Sequence, residues 1–241
     1  LGVAVSAWNP QQPLLVLVDR GGGRAMAGAD NPRALASGVV LRNGYAYIDI
    51  PEFVGEDQEW DQLVRCVQGH YAAFAIDIVD EMPQRGDFIR VMIGGPSLEF
   101  GFDESVHGIA PWGGHVLRTA VAFVFQRDDW EPTHLCEITA HEIGHTVGLD
   151  HSRNCADIMS YESCGPKVFV DFAAGCGEWE PRMCGTGRLR QNAHADLVLR
   201  VGRYDHDEGN AWRDHEADEV MGSVKAAVRR FLTIGTRKLP W

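Results

Sequence analysis

The stretch AHEIGHTVGLDHS, residues 140–152, sets three histidines and a glutamate within eleven positions and puts a glycine where a helix would have to stop. On a helix, His141 and His145 are four residues apart and project from one face, one turn from each other. Glu142 lies about 100° around the helix, beside that pair rather than in line with it. Gly148 is free to take a positive φ, so the chain can leave the helix sharply there. That turn can bring His151 back to the first two imidazoles. The fold must therefore provide a helix ending near Val147 and a reversal directly after it.

Three neutral imidazoles make a donor set for tetrahedral zinc and leave a fourth position for water. Zinc lowers the pKa of such a water to about 7 and polarises a carbonyl under attack. Glu142 can reach that water without being a ligand, take its proton as general base and later deliver it to a leaving amine. The plain rival is a set of surface or capping histidines. A bare H-E-x-x-H arises by chance, but Gly148 and His151 at these offsets make coincidence far rarer.

The flanking sequence supplies strands and helices to carry this segment. PLLVLVD (13–19) reads as a buried strand closed by Gly21, Gly22 and Gly23. YAYIDI (45–50) alternates and predicts a second, shorter strand. From Asp57 to Phe74 apolar residues recur at Trp60, Leu63, Val64, Val67, Tyr71 and Phe74, the spacing of an amphipathic helix. FAIDIV (74–79) and FIRVMI (88–93) read as strands, and the nearly all-apolar TAVAFVF (119–125) as a central one. Pro132 and Thr133 look like the start of the histidine helix, with Thr133 a candidate cap. Its core stripe would be Cys136, Ala140, Ile143 and Val147. Residues 148–203 are rich in Gly and Cys with little periodicity, and a final helix is expected from about Asp214 to Phe231. The order of elements predicts an α+β domain with a cleft between a larger upper part, to about residue 148, and a smaller lower part, 149–203. Residues 204–241 would be an acidic linker and a C-terminal helix packed on the same domain.

Charge and cysteines narrow the partners. The chain carries 22 basic and 34 acidic residues, a net charge of −12, which argues against nucleic acid and against an anionic membrane surface. No apolar run is long enough to cross a bilayer. Cys66, Cys136, Cys155, Cys164, Cys176 and Cys184 are even in number, and four fall in the loop-rich part, the pattern of disulfides made in an oxidising compartment. Without a C-x-x-C pair, a zinc knuckle is the weaker reading. Local bridges Cys155–Cys164 and Cys176–Cys184, with Cys66–Cys136 between the two long helices, form one arrangement of the fifteen that six cysteines allow. The start at Leu1 suits a mature secreted protein or a trimmed fragment.

His141, Glu142, His145, Gly148 and His151 match H-E-x-x-H-x-x-G-x-x-H, and the chain thereby resembles the metzincin zinc peptidases. CADIMSYESC (155–164) supplies the methionine that this family places in a turn beneath the metal, with Met159 as candidate against ordinary core packing. Ser152, after the third histidine, resembles matrixins. Met159-Ser160-Tyr161 is similar to serralysins and astacins, in which the tyrosine is a displaceable metal ligand. Tyr161 is thus either a ligand that also hydrogen-bonds the reaction intermediate or a plain packed tyrosine. The likeness is greatest to bacterial matrixin-like peptidases and spans roughly residues 13–203. It implies a twisted mixed sheet with two long helices above a zinc cleft and a coil-rich, disulfide-bearing lower part. It also makes HGIAP (107–111) an edge strand, whose residues His107, Gly108, Ile109 and Ala110 would bind an extended peptide, the rival being a turn-rich loop.

Other polar residues stay unassigned. His70, His107, His115, His134 and His194 are scattered, and no spacing for a second zinc is met. Residues 205–219 are rich in Asp, Glu and His and could take Ca2+, but lack a calcium-loop pattern. The implied function is zinc-dependent endopeptidase activity on protein or peptide substrates. Its alternative is a zinc-bearing binding or adhesion module with latent or lost activity; the presence of Glu142 counts against that.

Overall fold

The apolar run LLVLVD forms strand β1 (Leu14–Asp19) inside a five-stranded sheet. A computed structural model describes residues 12–127 and 132–204. Along the chain, β2 (Gly23–Ala27), β3 (Ala36–Ser37), α1 (Gly38–Arg42) and β4 (Tyr47–Ile50) follow β1, then α2 (Asp57–Tyr71), β5 (Ile76–Val79) and β6 (Ile89–Ile93). After a 3₁₀ turn at Ser97–Phe100 come β7 (Gly108–Ile109), β8 (Ala120–Val124) and α3 (Pro132–Thr146). The chain continues through β9 (Ala174–Gly175), β10 (Arg190–Gln191) and α4 (Ala193–Val201). The main sheet has the order β5-β1-β6-β8-β7; its first four strands run parallel and β7 runs antiparallel to β8 at the edge.

Strands β6 and β8 are buried on both faces because both faces are covered. Ile89, Val91 and Ile93, with Ala120, Ala122 and Val124, point into a core shared with α2 and α3. Their neighbours Met92, Val121 and Phe123 point the other way, against α1 and the small sheet β3-β2-β4. Arg90 also faces that way, and its buried guanidinium donates to Asp19 at 2.7 Å and to the carbonyl of Pro32 at 3.0 Å. The sheet is mixed, as expected, and the expected short strand at 45–50 belongs to the small sheet rather than the large one.

Helix α2 buries Trp60, Leu63, Val64, Val67 and Tyr71. It stops three residues short of the predicted end: the N–H of Phe74 closes a turn on the carbonyl of Tyr71, and the chain then enters β5. Phe74 still fills the same core, which is why its spacing looked helical. Helix α3 starts at Pro132, so Thr133 stands in its first turn instead of capping it. Its stripe of Cys136, Ala140, Ile143 and Val147 is fully buried. A disulfide joins Cys66 of α2 to Cys136 of α3, and the buried Tyr71 hydroxyl donates to the carbonyl of Ala140 at 2.7 Å.

Beyond Gly148, apart from the short pair β9 and β10, the chain is coil held by the bridges Cys155–Cys164 and Cys176–Cys184 until α4, which the sequence reading missed. Helix α4 has nine residues, too few for a strong periodic signal. The Asn192 side chain caps it by accepting from the N–H of Ala195, and Ala193, Leu197 and Val201 return to the main core. The described residues, save Tyr204, fall in one compact unit, Leu1–Arg203. The helix expected at 214–231 and the acidic stretch 205–219 lie outside the described residues. No helix among the described residues is long and apolar enough to cross a membrane.

Tyr71→Phe should lower the unfolding free energy by about 1 kcal/mol, the usual value of one buried hydrogen bond. Denaturant titration checks this, and an unchanged midpoint would show that the bond to Ala140 does not brace α3.

Candidate metal centre

Helix α3 carries His141 and His145 one turn apart, and Gly148, at φ +90°, turns the chain out of the helix so that His151 comes back to them. A side chain at Gly148 would have to share space with the N–H of His115, its Cβ lying 2.6 Å away, and with the Arg200 guanidinium. Arg200 donates to the carbonyls of Gly114 and Val147 at 2.9 and 3.0 Å, which ties α4 to the end of α3.

The three imidazoles meet. Their ligand atoms lie within 4.8 Å of one another, and the Nε2 atoms of His145 and His151 are 3.0 Å apart. Each ring is held from behind at Nδ1. His141 faces the carbonyl of Ile158 at 2.9 Å, His145 the carbonyl of Leu149 at 2.9 Å, and His151 the Glu178 carboxylate at 2.6 Å. These partners only accept, so Nδ1 carries the proton and each Nε2 presents a bare lone pair. Burial, and then the neighbouring histidines, push the His141 imidazole well below its usual pKa. The same causes bring His145 to about 4, so both rings are neutral near pH 7. Bare lone pairs 3.0 Å apart repel one another unless a cation lies between them. The donor set fits zinc: neutral imidazole nitrogens, each oriented by a second partner.

Glu142 is 5% exposed, and burial pushes its carboxyl up to about 8. A cation among the imidazoles acts in the opposite direction. Above it runs β7: a Cβ on Gly108 would lie 2.6 Å from Glu142 Oε1. The carbonyl of His107 accepts from Phe125, and Ile109 and Ala110 pack on opposite faces of the sheet. The edge strand thus passes directly over the glutamate.

Below α3, Asp157–Ser160 forms a tight turn, closed by the N–H of Ser160 on the carbonyl of Asp157. Met159 is fully buried, and its sulfur packs where a side chain at Gly144 would go. Its carbonyl accepts from Ser152, and the carbonyl of its neighbour Ile158 is the one that holds His141. Tyr161 is 47% exposed, its ring centre 4.5 Å from that of His151 and 5.7 Å from that of Trp179. Burial, followed by the charges of Glu142 and Glu178, raises its pKa, so the phenol is a donor at neutral pH.

Other clusters among the described residues are otherwise engaged. Cys66 and Cys136, beside His70, are spent in their disulfide. Asp150, His151 and Glu178 also converge, but the Arg182 guanidinium already binds both carboxylates. Its hydrogen bonds hold Glu178 down to about 2. Of the remaining histidines, His115 faces the carbonyl of Gly113, His194 packs edge-on against Phe74, and His107 against His134. The sequence reading missed Glu178 and Arg182. The small Cys176–Cys184 loop was the available signal, since a short bridge fixes whatever side chains it carries.

The matrixin family model matches residues 97–168. The match takes in β7, β8, α3, the three histidines, Glu142, Met159 and Tyr161, and ends before Glu178. No curated protein matches the chain. Over the matched stretch the chain is similar to the matrixin peptidases, which supports the resemblance drawn from the motif and, with the histidine triad, a metallopeptidase.

The turn beneath the candidate metal centre should have its own pH signature. Burial raises Asp157 to about 6, against the N–H donors it accepts from. A carboxyl raised in the folded state contributes stability below its unfolded pKa and loses it as pH rises through the folded value. Between about pH 4 and 7, wild type should therefore lose on the order of 2–3 kcal/mol relative to Asp157→Asn. Denaturation of both proteins across that range measures it; parallel profiles would contradict the assignment.

Proposed function

We propose that the chain is a secreted zinc endopeptidase that hydrolyses extended protein or peptide substrates. The observation that carries this reading is the convergence of three outward-braced imidazoles beside a buried glutamate, under the edge strand β7. His141, His145 and His151 would hold the metal through Nε2. Zinc held there supplies a Lewis acid that acidifies a water and polarises a carbonyl. Glu142 takes the proton of the attacking water on its carboxylate and passes it to the departing nitrogen.

The backbone of residues 107–110 offers its edge to an extended substrate, which would pair as an added strand. Gly108 has no side chain to hold that strand away from Glu142. The Tyr161 phenol, beside His151, would donate to the oxygen that gains charge on the attacked carbonyl. Met159 would serve as the floor on which α3 rests. The catalytic unit would be residues 1–203. Secretion is supported by the three disulfides, which persist in oxidising compartments.

The test is digestion of a denatured generic protein by zinc-loaded wild type and by Glu142→Ala, with fragments read by mass spectrometry. Wild type should cut, and the variant should be slower by at least about a hundredfold, the usual loss with a general base. Equal cleavage would reject the mechanism. Inert wild type with zinc bound would favour the binding-module alternative.

A further inference from the structure

We infer that Glu178 is a positioning residue that fixes the His151 ring as a metal ligand, presented by the loop that the Cys176–Cys184 bridge closes. The inference rests on the reading of His141, His145 and His151 as a metal centre. His141 and His145 stand on a helix and are braced by main-chain carbonyls. His151 lies past Gly148, on coil, where no helix sets its ring. Its Nδ1 faces a carboxylate, Glu178 Oε1, at 2.6 Å. A carboxylate there keeps the proton on Nδ1 and aims the Nε2 lone pair at the other two imidazoles.

Glu178 is itself held on both oxygens. Arg182 donates to Oε1 at 2.8 Å and to Oε2 at 3.2 Å. The same guanidinium donates to both oxygens of Asp150, each at 2.7 Å. Asp150 Oδ1 in turn accepts the main-chain N–H of His151 at 2.8 Å. The chain of bonds is closed: it begins at the backbone of His151 and returns to its ring. Arg182 is set in place by its own N–H, which donates to the carbonyl of Cys176 at 2.8 Å, while Cys176 is bridged to Cys184. The guanidinium supplies the positive charge at Asp150 and Glu178, so these carboxylates brace a ligand rather than bind a second ion.

The test combines two readouts. In the metal-free chain at about pH 8, above the ordinary imidazole pKa, ¹⁵N spectra report which nitrogen of each ring is protonated. His151 should be protonated at Nδ1 in wild type and become a mixture of tautomers in Glu178→Ala, while His141 and His145 keep their spectra. Zinc affinity, measured by competition with a chromophoric chelator, should fall about 10–100-fold in Glu178→Ala, the usual cost of losing such a partner. It should fall less in Glu178→Gln, which keeps an acceptor oxygen without the charge. Met183→Ala, an exposed change in the same loop, should bind as wild type does, which separates positioning from loop damage. Wild-type affinity and an unmixed Nδ1 tautomer in Glu178→Ala overturn the inference; should that variant not fold, undiminished affinity in Glu178→Gln does so. Undiminished affinity in His151→Ala would instead reject the three-histidine centre itself.

Discussion

The candidate metal centre depends on three hydrogen bonds made on the far side of the rings that would bind the ion. Each Nδ1 is engaged by a different part of the chain: the turn at Ile158, the helix exit at Leu149 and the disulfide loop at Glu178. These bonds set the tautomers, and the tautomers aim three lone pairs at one point. A motif on a helix could not do this alone. Two histidines spaced by four share a face in any helix, but the direction of their lone pairs is decided by chain that lies outside it.

The rest of the fold keeps α3 still enough for that arrangement to hold. One side of the helix is apolar and buried in the core of the main sheet. The Cys66–Cys136 bridge and the Tyr71 hydroxyl fasten it to α2, Met159 supports it from below through the space left by Gly144, and Arg200 fixes its end from α4. The polar edge of the helix thereby sits at the boundary between the packed upper part and the bridged coil, under β7. A rigid support and an open sheet edge meet at Glu142.

Much of this was legible in the sequence, and the reason differs from part to part. The strands at 14–19, 89–93 and 120–124 are long enough and apolar enough to be read directly. The ligand spacing and the glycine turn are local features, so the sequence displays them without knowledge of the fold. Phe74 misled because a residue can share a helix's core without belonging to the helix. Helix α4 hid behind its length, and Thr133 had the chemistry of a cap without the position. Glu178 could not be read from spacing, because it meets His151 across 27 residues of coil whose path is set by disulfides and by Arg182. Periodicity reports regular elements, and coil has none to report.

The central claim is that His141, His145 and His151 bind one divalent ion through Nε2. X-ray absorption on the zinc-loaded chain addresses it directly. The account predicts one tightly held zinc per chain, with three imidazole nitrogens at about 2.0–2.1 Å and an oxygen completing the set. A sulfur shell, an all-oxygen shell, or a chain that takes up no zinc would contradict it.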